Sequence, residues 1–133
     1  VNNTEIRLRI LFGCYAEMYH GIPATEHTKR LEGVKPSVVT ANTAYLIDKG
    51  LLGGEVDHYA NGTLYARIGR IMPGGVDIVE EITSRSVDEL EDAAAREIRD
   101  SPYMQLSFWE KCVHVATVCR VATEVAGQIF AAI

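Results

Sequence analysis

The sequence predicts a mainly α-helical chain with one small β-hairpin, an α+β arrangement that continues into C-terminal helices. Three observations predict it. From Pro36 apolar side chains recur at helical spacing to a stop at Gly50; Asn61-Gly62 sits between two short runs rich in strand formers; and apolar residues dominate from Tyr103 to Ile133. With 133 residues, 47% apolar and 23% charged, the chain is long enough to bury a core and has the composition of a globular protein. The expected division is a helix-and-hairpin domain over 1–85 and a helical dimerisation region over 86–133.

Composition narrows the setting. Three cysteines, Cys14, Cys112 and Cys119, are odd in number, and the last two fall two turns apart on one predicted helix, too far to bridge each other. A reducing, cytoplasmic environment is expected. No basic segment followed by an apolar one opens the sequence, so no signal peptide is expected. The apolar stretch from Cys112 to Ile133 is broken by His114, Arg120, Glu124 and Gln128, and charge at mid-membrane depth is costly, so neither a span nor a membrane partner is expected. The formal net charge is −5, unevenly spread: residues 1–71 hold eight Lys or Arg against seven acids, residues 72–133 five against eleven. A local basic patch, not the total, steers a polyanion, so only the first half offers a nucleic-acid-facing surface.

In chain order, Asn2 and Glu5 supply a polar cap with an acid three residues on, and Ile6, Ile10, Cys14 and Met18 recur at helical spacing to a stop near Gly21. Leu8, Leu11, Phe12 and Tyr15 widen the apolar surface, which predicts burial on two sides. Thr25 caps a short helix from Glu26 to Leu31 that ends at Gly33, and Pro36 suits the first turn of the next helix. There, spacing turns Val39, Thr43, Leu46 and Ile47 inward and Ser37, Val38, Thr40, Ala41, Ala44, Tyr45 and Asp48 outward. Leu51 and Leu52 plug the helix end into the core.

A two-residue type I′ loop at Asn61-Gly62 predicts that His58 pairs with Tyr65, Asp57 with Ala66 and Val56 with Arg67, so that His58, Tyr65, Val56 and Arg67 share a face. Pro73 leads into a short helix through Val76 to Glu81. Ser86 and Glu89 form a capping box that opens a helix to about Asp100, and Ser101-Pro102 starts another to the end of the sequence. In the last helix Val115, Val118, Ala122, Val125, Ile129 and Ala132 alternate three and four apart, as a packing seam does. So broad an apolar surface exceeds what one small domain buries, which predicts dimerisation, with this helix also packing on the first. With Trp109, these residues other than Ala132 form the expected dimer seam, and the chain itself is an expected partner.

The helix pair with its glycine-containing turn, the phrase Tyr45-Leu46-Ile47-Asp48-Lys49-Gly50-Leu51-Leu52, the hairpin and the return at Arg70-Ile71-Met72-Pro73 resemble winged helix-turn-helix DNA-binding domains, especially those of small prokaryotic, including archaeal, regulators. The resemblance covers residues 1–82. It implies that the Pro36 helix enters the major groove, with Ser37, Thr40, Ala41, Ala44 and Tyr45 facing bases and Thr28, Lys29, Arg30 and Lys35 near phosphates. The hairpin becomes the wing, touching DNA through His58, Tyr59, Asn61 and Arg67. The implied partner is double-stranded DNA, bound by a homodimeric transcriptional regulator at half-sites ~34 Å apart. The groove-facing positions carry no Arg, Gln or exposed Asn, so bidentate base readout is sparse. The alternative is a winged-helix module for protein assembly with its DNA face idle, a reading supported by the −5 charge and the alanines of the helix.

Metal, cofactor and catalytic patterns are not expected. His20, His27, His58 and His114 are scattered, Cys-x-x-Cys and His-Glu-x-x-His do not occur, and Cys112 and His114 fall on different sides of a helix. Gly53-Gly54 and Gly74-Gly75 lack the Lys-Ser/Thr of a phosphate loop. Glu80-Glu81 and the cluster Glu89, Glu91 and Asp92 read as helix surface.

Overall fold

A computed structural model describes residues 2–21, 31, 33–85 and 120–133. Among these the chain forms α1 (Asn3–His20), α2 (Pro36–Asp48), β1 (Leu52–His58), β2 (Leu64–Ile71), α3 (Pro73–Arg85) and α4 (Arg120–Ala132), with the strands paired as one antiparallel hairpin. The architecture is mainly helical with a two-stranded sheet. The short helix expected at 26–31, apart from Leu31, the helix expected at 86–100 and the start of the last helix fall outside the described residues.

Capping fixes α1 at both ends. The Asn2 Oδ1 accepts the Glu5 backbone N–H at 2.9 Å, and Gly21 closes the helix in the left-handed region at φ 63°. Ile6, Leu8, Ile10, Leu11, Phe12, Tyr15 and Ala16 are all buried, which is the two-sided burial that the sequence predicts. The apolar stripe runs out in the last turn, where Met18 is 47% exposed.

Pro36 begins α2, where a missing N–H costs no helical bond. Its end is a Schellman motif: Gly50, at φ 75°, donates to the Ile47 carbonyl at 2.9 Å, and Leu51 donates to the Leu46 carbonyl at 3.0 Å. That turn drives Leu51 and Leu52 into the core beside Leu46, as expected for a plug.

The hairpin register differs from the expectation by one residue. His58 faces Leu64, Asp57 faces Tyr65, Val56 faces Ala66 and Glu55 faces Arg67. A type I′ turn needs positive φ at both loop residues, yet among the described residues positive φ occurs only at glycines. The loop instead holds Ala60, Asn61 and Gly62. Gly62 donates to the Tyr59 carbonyl, Tyr59 donates to the Thr63 carbonyl, both at 2.9 Å, and Gly62 takes φ 85°. A one-residue slip changes every cross-strand partner. Tyr65 and Arg67 therefore share a face with Asp57 and Glu55, not with His58 and Val56. Further down, Gly69 is an extra residue between the Gly53–Arg70 and Gly54–Ile68 pairs.

The α3 helix runs past Glu81 to Arg85 because Ile82 and Thr83 extend the buried stripe of Ile78 and Val79, with the Thr83 hydroxyl donating to the Val79 carbonyl at 2.9 Å. A Cβ at Gly75 would collide with the Leu51 carbonyl, so the bare glycine is what lets α3 close on the end of α2. The α4 helix packs on α1 and α3, and its Ala122, Ala126, Ile129 and Phe130 belong to the same core as Leu8, Leu46 and Ile82. Ala122 and Ile129, expected at a dimer seam, are thus buried within one chain. Val125 is half-buried and Ala132 exposed. Trp109, Val115 and Val118 lie outside the described residues. No helix among the described residues is long and apolar enough to cross a membrane.

Candidate nucleic-acid interface

One side of α2 is committed to holding the fold. Asn42 is buried; its amide donates to the Asn3 Oδ1 at 3.0 Å and to the Val38 carbonyl at 2.9 Å, and its Oδ1 accepts the Arg7 Nε–H at 2.9 Å. One turn on, the Tyr45 ring lies under the Arg7 guanidinium at 3.6 Å and meets the Phe130 ring edge-on at 6.4 Å. The Tyr45 hydroxyl donates to the Phe130 carbonyl at 3.3 Å, and the Lys49 ammonium donates to the Ile133 carbonyl at 3.0 Å. Asn42, Tyr45 and the C-cap Lys49 thereby tie one side of α2 and its end to α1 and to the end of α4.

This network corrects the expected outward set. Ala44 is only 5% exposed, and Val38 and Tyr45 are half-buried. Lys35, Ser37, Ala41 and Asp48 are exposed, with Thr40 half-buried. The open part of α2 therefore presents one hydroxymethyl, one methyl and one carboxylate, with the Thr40 side chain beside them. Asn42 escaped the sequence reading because its partners lie 35 and 39 residues earlier on α1, and no local pattern announces them.

The hairpin tip is open. His58, Tyr59, Asn61 and Tyr65 are exposed, the two tyrosine rings sit 6.4 Å apart, and the Asn61 Oδ1 accepts the Thr63 N–H at 3.0 Å. Arg67 forms a 2.8 Å ion pair with Glu55 in which both side chains are well exposed. Such a pair is worth only about 0–1 kcal/mol, so Arg67 can trade Glu55 for another anion at little cost. Lys35 and Arg70 are exposed, and neither has an ion-pair partner among the described residues. Across α2 and the hairpin, Lys35, Lys49, Arg67 and Arg70 stand against Asp48, Glu55 and Asp57, which leaves a mixed surface, not a basic stripe. Thr28, Lys29 and Arg30 lie outside the described residues.

Two groups on α1 have shifted protonation. Burial, reinforced by Glu17, pushes the Cys14 thiol up to about 12, and burial with Glu80 and Tyr19 raises Tyr15. Among the described residues no cluster of three His, Cys, Asp or Glu side chains that could hold a metal ion occurs. Comparison of the chain with protein-family models, curated proteins and solved structures gave no match.

Proposed function

We propose that the chain is a winged-helix DNA-binding protein, a transcriptional regulator acting as a homodimer, with α2 as the recognition helix and the β1–β2 hairpin as the wing. The observation that carries this reading is the handover at Gly50: the Schellman turn passes the chain from α2 straight into a hairpin that packs back on α2. The same helix is locked on its other side by Arg7, Tyr45 and Phe130 and keeps Ser37 and Ala41 open. Ser37 and Thr40 suit single hydrogen bonds, and Ala41 suits apolar contact with a thymine methyl. So sparse a reader draws its specificity from DNA shape, the wing and dimer spacing. Lys35 and Arg67 are the described cations that this reading assigns to phosphate, joined by Lys29 and Arg30.

Charge reversal tests it. Lys35→Glu together with Arg67→Glu lowers affinity for duplexes of every sequence alike, because phosphate contacts carry no base information. Unchanged affinity would leave α2 and the hairpin without a role in binding.

A second reading, a winged-helix module for protein assembly, draws on the other hairpin observation. Glu55 and Asp57 line the face that carries Tyr65 and Arg67, and Tyr59 and Tyr65 are large exposed aromatics of the kind enriched at protein interfaces. Under that reading the protein binds no duplex at any salt.

A further inference from the structure

A cleft of about 890 Å³ opens between α1, Leu31, Gly33 and Val34, α2 and β2. Its described floor presents little that is polar. Ile10 and Ile71 are buried, and the Thr43 hydroxyl is already spent on the Val39 carbonyl at 2.9 Å. Cys14, on the α1 wall, stays a neutral thiol at physiological pH because burial and Glu17 raise it to about 12. Met18 and Ile68 stand at the margin 47% and 40% exposed, large values for apolar side chains. Among the described lining residues the charged groups are Glu17 on α1 and Arg70 on β2, both exposed and neither with an ion-pair partner among the described residues.

Sites for small molecules are clefts of roughly 300–1,000 Å³ with apolar walls and a few polar groups that fix orientation. We propose that this cleft binds a small amphiphilic carboxylate, its apolar body on the Ile10, Val39 and Ile71 floor and its carboxylate on the Arg70 guanidinium. A guanidinium offers paired donors matched to a carboxylate, and Arg70 has no acid among the described residues to give up. Glu17 repels an anionic head from the α1 side and so directs it towards β2. The occupant would touch α2 at Thr40 and the hairpin at Ile68 to Ile71, but the site stands whether or not the chain binds DNA.

The test uses the intact protein with anilinonaphthalene sulfonate as a fluorescent reporter and decanoate, decanol and decylamine as competitors. Decanoate displaces the reporter, and Arg70→Gln weakens decanoate about tenfold, the scale of one charge-assisted contact, while leaving decanol unchanged. Amide resonances of Thr40 and Gly69 move on decanoate addition and that of Asn61 does not. No displacement, a decylamine stronger than decanoate, an Arg70→Gln protein equal to the parent, or shifts that spare Thr40 and Gly69 would each overturn the proposal.

Discussion

The Arg7 guanidinium lies 3.6 Å from the centre of the Tyr45 ring, joining the first turns of α1 to the last turns of α2. Arg7 also supplies the donor that satisfies the buried Asn42. Arg7→Met removes both contacts and lowers unfolding free energy in urea by about 1–3 kcal/mol. Arg7→Lys recovers only part of the loss, because an ammonium neither stacks flat nor reaches Asn42 with the same fork. A double-mutant cycle with Tyr45→Leu returns a coupling of about 0.5–2 kcal/mol; zero coupling would dissolve the pair.

Burial of α4 within one chain makes a second prediction. Phe130→Ala costs about 3–5 kcal/mol and Ile129→Ala about 2–5 kcal/mol, the range for emptying a core position. The difference from the parent is the same at every protein concentration. A loss that grows on dilution would place these side chains in a seam between subunits instead.

The hairpin register is open to chemical test. In a background with the native cysteines replaced, Val56→Cys with Ala66→Cys oxidises readily to a cross-strand disulfide, since these residues face each other. Val56→Cys with Arg67→Cys, the pair a two-residue loop would align, does not.

Alkali tests the cleft wall. Above pH 9.0 the Cys14 thiol of the unfolded chain ionises while the native one holds its proton to about 12. The unfolded state then binds fewer protons, so this stabilisation is complete below pH 9.0 and is lost as pH climbs towards 12, by at most about 1.4 kcal/mol per pH unit. Cys14→Ala flattens that alkaline limb and leaves the share from Tyr15, whose hydroxyl pKa is raised in the same direction.

Local signals in the sequence were enough for the ends of elements. Asn2 with Glu5 marks the start of α1, Pro36 the start of α2 and Gly50 its end, because each acts through backbone groups within a turn of itself. Asn61-Gly62 locates the hairpin but leaves its register open, since a two-residue and a three-residue loop use the same dipeptide and differ in whether Asn61 takes positive φ. The open face of α2 was legible at Ser37 and Ala41. It was not at Ala44 and Tyr45, whose burial depends on residues far away in the chain. Packing of α4 on α1 was legible from the breadth of its apolar surface, but which residues it takes was not: an apolar stripe looks identical whether its own core or a second chain covers it, and Ala122 and Ile129 belong to the core that α4 shares with α1 and α3.

The salt dependence of duplex binding decides between DNA binding and an idle helix-hairpin face. Anisotropy of a labelled random-sequence duplex is followed as protein is added at several salt concentrations. Winged-helix DNA binding predicts association at low ionic strength, log affinity falling linearly with log salt, and a slope about one unit shallower for each phosphate-contacting cation removed, Lys35 and Arg67 first. No association at the lowest salt, or a slope unmoved by Lys35→Glu and Arg67→Glu, would contradict it.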